Sequence, residues 1–260
     1  MKIVGRILLV LAGILAALVA VVGILIAVHA PRNKKAMNAA VDTVLTAIQE
    51  HYGMQEADCG EYQKMTLYGL MKFRVRRYEV EQLGNLSVMT VNLGVMQMAT
   101  IVLTPTDKDL PLISADYMYM LGNRTCYLEF YDLVLQQEEG YGAFLDDLKT
   151  VLAGYSELAD VTPSSAWYDA LKTVGYYKKG THKEDDRLLQ MLREGVETAM
   201  VYSEGLPELT ESSREAKSVL EKQYSDGLIE NGGISTDVFV KSLGAEKTKE
   251  FFDEVLFRTR

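Results

Sequence analysis

The chain has 260 residues, of which 48% are hydrophobic and 24% charged, which is ordinary globular composition rather than the signature of disorder. Beyond residue 30, once Lys2 and Arg6 are set aside, 25 basic residues face 36 acidic ones, a balance of −11. That argues against DNA or RNA as a partner, because nucleic-acid affinity rests on basic surface that displaces counterions.

Residues 7–30 form a run of 24 without an acidic or basic side chain other than His29. At about 1.5 Å of helical rise per residue the run crosses a hydrocarbon core of roughly 30 Å. It exceeds the apolar region of about 7 to 15 residues found in cleaved signal peptides, so residues 1–30 are expected to be an uncleaved, single-pass transmembrane anchor. Lys2 and Arg6 on one side nearly balance Arg32, Lys34 and Lys35 on the other, and the positive-inside rule leaves the side of the soluble part open. His29 falls at the headgroup boundary. Ala36, Ala40, Val44, Leu45 and Ile48 then recur at helical spacing, so residues 31–66 are expected to hold a juxtamembrane helix and a lead-in.

The period then changes. Residues 72–76 alternate, and segments 86–93, 96–103, 114–121 and 125–135 are rich in strand formers, separated by Gly84-Asn85, Asn92-Leu93-Gly94, 105–111 and Gly122-Asn123. Links this short favour antiparallel neighbours, and a meander of five or six strands is expected. Beyond Gly140 the pattern reads as helical to the end. Thr181 and Glu184 form a capping-box pair, Leu188, Leu192, Val196 and Ala199 make one apolar stripe, and Gly244 enters a last helix that buries Phe251, Phe252, Val255 and Leu256. Strands first and helices after give an α+β domain with helices packed on the sheet.

Phosphate-binding loops, dinucleotide fingerprints and nucleophile elbows are missing from the sequence. With only His29, His51 and His182, no multi-histidine metal site is expected, and Cys59 and Cys126 suit neither a disulfide framework nor a zinc site. Asp116 is the informative carboxylate. Period-two alternation in 112–120 places Ser114, Asp116, Met118 and Met120 on one face. A desolvated carboxyl there would have a raised pKa and hold a proton near neutral pH; the alternatives are a solvent-facing residue or the partner of an arginine. Lys72, Arg74 and Arg76 share a strand face that either holds the carboxylates of an acidic ligand or is simply solvated. Met89, Met96, Met98, Met118 and Met120 either line an adaptable pocket for a flat apolar ligand or fill the core.

The segment Asp109-Leu110-Pro111-Leu112-Ile113-Ser114-Ala115-Asp116, followed after a short turn by Leu128-Glu129-Phe130-Tyr131-Asp132-Leu133, resembles the central hairpin of the ferredoxin-dependent bilin reductases and the related red chlorophyll catabolite reductases. Trp167-Tyr168, the Gly205-Leu206-Pro207 break, and Phe239 to Gly244 followed by Phe251 to Phe257 are similar to later features of that family, in the same order. The likeness covers residues 67–257. It implies a three-layer α/β/α sandwich with a central antiparallel sheet, holding a linear tetrapyrrole between the sheet and the C-terminal helices. It also implies no bound flavin or metal, single electrons delivered by ferredoxin, and protons supplied by side chains. Asp116 matches the strand aspartate that donates a proton, and Met98, Ser114 and Met118 are the substrate-binding candidates. The family's neighbouring-strand position, a histidine or asparagine, falls near Met98 or Ala99, and its second aspartate falls near Gly233; neither place has a proton donor.

Two functional readings follow. One is a membrane-tethered oxidoreductase in which Asp116 protonates a linear tetrapyrrole; if ferredoxin feeds it, its soluble part faces the cytoplasm. The other is a non-catalytic ligand-binding or interaction domain that keeps the fold.

Overall fold

The computed structural model describes residues 2–233 and 236–259. Helix α1 (Lys2–Gln49) is continuous through Pro31, although a proline ring removes one intrahelical hydrogen bond. Its apolar window is unburied and is long and apolar enough to cross a membrane. Its second half behaves differently: Ala36, Met37, Ala40, Val41, Val44, Ala47 and Ile48 recur every three or four residues and are all buried in the core.

Among the described residues, nine strands form one sheet: β1 (Met54–Ala57), β2 (Lys64–Leu67), β3 (Met71–Val80), β4 (Gly84–Asn92), β5 (Met96–Pro105), β6 (Leu112–Met120), β7 (Asn123–Tyr131), β8 (Ala159–Asp160) and β9 (Lys172–Thr181). The order is β1-β3-β4-β5-β6-β7-β9-β8, with β2 also paired to β3, and every pairing is antiparallel. The meander expected from the short turns runs from β3 to β7. Helices α1, α2 (Tyr141–Ala153) and α3 (Asp185–Glu204) cover one face. Helices α4 (Glu211–Glu230), α5 (Thr236–Leu243) and α6 (Ala245–Phe251), the last running into a π turn at Phe252–Leu256, cover the other. The protein is thus a three-layer α/β/α sandwich around an antiparallel sheet, with a core on each side.

Three expectations need correction. The sheet has nine strands, not five or six. The expected boundary at residue 67 falls inside the sheet, because β1 and β2 pair with β3 and the second half of α1 is a wall of the core. Beyond Gly140 the chain is not wholly helical: β9 pairs with β7 along its length, its inward Val174 and Tyr176 buried among the core residues. At its end the Glu184 carboxylate accepts from the Thr181 backbone N–H at 2.7 Å, so the capping pair forms while Thr181 closes the strand and α3 begins at Asp185. The stripe of Leu188, Leu192, Val196 and Ala199 is buried as expected, and so are Phe251, Phe252, Val255 and Leu256.

Candidate functional site

Alternation along β6 decides what reaches each layer. Ile113, Ala115, Tyr117 and Tyr119 point into the core under α1, α2 and α3, while Leu112, Ser114, Asp116 and Met118 face the C-terminal helices. There, a cavity of about 170 Å³ lies between the sheet and α4 to α6. Its floor is Met98, Thr100 and Val102 of β5, the four β6 residues, and Thr125, Tyr127, Glu129 and Tyr131 of β7. Its roof includes Tyr168, Tyr224, Leu228, Gly233, Thr236, Phe239, Phe252 and Phe257. The aromatic rings support one another: Tyr131 and Tyr224 have centroids 5.1 Å apart, and Tyr224 meets Phe257 edge-on at 5.8 Å. Such walls suit a flat apolar ligand.

Asp116 occupies the middle of the floor, with Thr100 directly across on β5 and Tyr127 across on β7. The Thr100 hydroxyl donates to Asp116 Oδ1 at 2.5 Å. Burial raises the Asp116 pKa to about 6, against the lowering effect of the Thr100 hydrogen bond and helped by the nearby Glu129 charge. The carboxyl is partly exposed and lines the cavity, so a proton held there is within reach of a bound molecule. Among the described residues no arginine pairs with it.

Glu129 is the second carboxyl of the cavity and is already committed. It accepts from the hydroxyls of Tyr131 at 2.7 Å and Tyr177 at 3.0 Å, and it pairs with Lys172 at 2.8 Å. Burial works against the Lys172 ammonium, but Glu129 and Asp169 outweigh it and hold its pKa above the ordinary lysine value.

The candidate residues Met98, Ser114 and Met118 all line the cavity beside Asp116. Of the two residues at the neighbouring-strand position, Met98 faces the cavity and Ala99 the opposite core. Gly233 is in the cavity wall, with no acid in its place. Met89 joins the lining, whereas Met120 is exposed at the end of β6. Lys72, Arg74 and Arg76 do not belong to the site. Phe73 and Val75 between them are buried on the cavity side, so the three cations project from the other face, Arg74 and Arg76 into a groove beside Asn38 and Asp42 of α1. No lysine or arginine among the described residues lines the cavity. Among the described residues, no group of three or more His, Cys, Asp or Glu side chains is arranged to hold a metal ion.

Sequence reasoning missed Thr100, Tyr127, Glu129, Tyr131, Tyr168 and Tyr224. Tyr127, Glu129 and Tyr131 were readable from the period-two pattern of 125–131, which sets them on one face. Thr100 required the register across the 105–111 connection, and Tyr168 and Tyr224 come from elements far along the chain.

The sequence matches no protein-family model and no curated protein sequence. Among solved structures, it is similar to tomato phytochromobilin synthase in complex with biliverdin, with a TM-score of 0.66 at 13% identity, over 83% of this chain and 82% of that one. The chain therefore shares the fold of phytochromobilin synthase.

Proposed function

We propose that the protein is a membrane-tethered, bilin-reductase-like protein that takes a linear tetrapyrrole into the cavity between the sheet and the C-terminal helices, with Asp116 as proton donor. The observation that carries this reading is a carboxyl with a pKa near 6 in the middle of an aromatic-walled cavity on this fold. In a reductive step an external one-electron carrier such as ferredoxin is oxidised, the ligand accepts the electron, and Asp116 passes its proton to the ligand. Solvent then reprotonates the carboxylate; two such rounds, with two electrons and two protons, saturate one double bond. No bound flavin or metal is needed for this sequence.

The dimensions constrain the binding mode. A cavity of about 170 Å³ is little larger than one that holds a single benzene ring, about 150 Å³. A four-ring ligand would therefore extend beyond this space through the open side of the cavity or displace part of its roof. Because no cation among the described residues lines the cavity, carboxylate side chains of the ligand would project into solvent rather than be clamped inside. Met98, Ser114 and Met118 would contact the rings. The unburied apolar stretch of α1 supplies the membrane anchor, and dependence on ferredoxin would place the domain on the cytoplasmic side.

Met98 and Gly233 at two positions where a proton donor is expected favour a second reading, a domain that binds the ligand without reducing it. Mixing the full chain in detergent with biliverdin separates the readings. A shifted visible spectrum that bleaches under a reducing ferredoxin system, with bleaching slowed at least about tenfold in Asp116→Asn, supports the first. A shift without bleaching supports the second, and no shift refutes both.

A further inference from the structure

Several sheet turns collect at one end of the molecule, and that end is level with the close of the apolar run of α1. A Cβ placed on Gly94, in the β4–β5 turn, would touch Ile26 at 3.5 Å, and one on Gly122, in the β6–β7 turn, would touch His29 at 3.4 Å. Further along, the Arg124 guanidinium donates to Asn33 Oδ1 at 2.8 Å. Two residues of strand thus keep pace with four of helix, about 6 Å in each, so β7 runs alongside α1 and the turns point the way the apolar segment points. The β2–β3 hairpin joins them, because Lys72 pairs with Asn92 beside the β4–β5 turn.

This end is more apolar than a water-facing rim needs to be. Leu70 is 73% exposed, Tyr68 57% and Met120 48%, and Leu121 takes φ 53°, where glycine is the usual occupant. Exposed Arg32, Lys34 and Lys35 of α1 and Lys72 of β3 place positive charge on the α1 and β3 sides of this end, while at the start of α3 Lys183 is followed by Glu184, Asp185 and Asp186. Apolar tips with cations beside the apolar run of α1 suit the boundary between acyl chains and headgroups.

Resting on the reading of α1 as a membrane span, we infer that the turns around Tyr68 to Leu70, Leu93 to Val95 and Met120 to Gly122 form a second membrane contact, docking the domain on the lipid surface. Met98, Met118 and Thr125, at the near end of the cavity floor, lie within two or three strand residues of these turns, about 10 Å at 3.3 Å per residue. Docking therefore holds that end of the cavity against the lipid surface, and an apolar ligand dissolved in the bilayer reaches it without crossing bulk water.

The test uses the full chain in vesicles of phosphatidylcholine and phosphatidylglycerol, with one environment-sensitive fluorophore at Leu70→Cys, Met120→Cys, Val21→Cys or Val201→Cys. Cys59 and Cys126 are buried and escape labelling. Val201 is as exposed as Tyr68, 57% in each case, but lies near the α3 residues Glu197 and Glu204 that bond His51, about 30 Å along α1 from His29. The expected result is that headgroup-nitroxide lipid dims the labels at 70 and 120 by at least about twofold, acyl-chain-nitroxide lipid dims the label at 21, and the label at 201 stays bright. Labels at 70 and 120 as bright as that at 201, with 21 quenched, would overturn the docking surface while leaving the anchor intact. An unquenched label at 21 would overturn the anchor and the inference with it.

Discussion

Replacing Asp116 with asparagine isolates the free energy of keeping a carboxylate in the cavity. Below the unfolded pKa of 3.8 both the folded and the unfolded chain hold the proton; between 3.8 and about 6 the folded chain binds more protons, so stability falls as pH rises and the loss is complete above about 6. At about 1.4 kcal/mol per pKa unit this shift is worth roughly 3 kcal/mol. Water entering the cavity screens part of it, leaving an expected 1 to 3 kcal/mol, roughly. Asparagine keeps an oxygen to accept from the Thr100 hydroxyl and carries no charge. Asp116→Asn is therefore expected to match the wild type near pH 4 and to exceed it at pH 8, with Tm higher by about 2–4 °C for each kcal/mol. Urea denaturation of the full chain in detergent across that range, with the denaturant slope unchanged, reads the difference directly. A stability difference independent of pH, or a variant less stable than wild type at pH 8, would refute the claim that the carboxyl is desolvated.

Three further perturbations test the frame that holds the cavity. Gly195→Ala places a Cβ 2.6 Å from Leu128 Cδ2 and 2.9 Å from Tyr176 Cε2, so overpacking of about 1–3 kcal/mol should outweigh the helix-propensity gain of about 1 kcal/mol; chemical denaturation that shows stabilisation would contradict the close approach of α3 to the sheet. Arg124→Ala strips the buried guanidinium that bonds Asp185 at 2.7 and 3.2 Å and Asn33 at 2.8 Å, an expected loss of about 3–5 kcal/mol measurable as a lowered Tm. Burial pushes the His51 pKa down, but hydrogen bonds to Glu204 and Glu197 outweigh it and the net shift is upward. The stability it contributes is thus fully present below pH 6.5 and disappears as pH rises through the folded value, and His51→Gln should flatten the stability profile on that alkaline limb.

The cavity floor was legible in sequence to the extent that it obeys a two-residue period. Ser114, Asp116 and Met118 alternate with Ala115, Tyr117 and Tyr119, and the structure separates the two sets into different layers. The same logic failed for Lys72, Arg74 and Arg76, because alternation shows which residues share a face but not which layer the face meets. Strand β9 was hidden by Gly175 and by lysines at 172, 178 and 179, whose polarity masks the apolar beat of Val174 and Tyr176; Lys178 is nonetheless buried, bonded to Asp160 and to the Leu158 carbonyl. β1 and β2 are four residues each, too short for a period to register. The amphipathic half of α1 was visible, but its role as a wall of the core was not, since its partners lie in β5, β6 and α3.

The continuity of α1 also bears on the order in which the protein folds. Val44 and Ile48 meet Leu103, Ile113 and Val196 across a narrow gap, and Val196 is made some 150 residues later. At about 5–20 residues per second of synthesis, this apolar stripe waits on the order of ten seconds for its last partner. It waits attached to a helix suited to the bilayer, and Pro31 at the junction is a place where the helix bends readily. If the anchor proposed for α1 holds, an amphipathic segment so tethered would lie down in the lipid interface, and the membrane would shield the stripe until the sheet is made. A fluorophore at Val44→Cys should accordingly be quenched by headgroup-nitroxide lipid in nascent chains stalled near residue 110, and released from quenching in the completed protein.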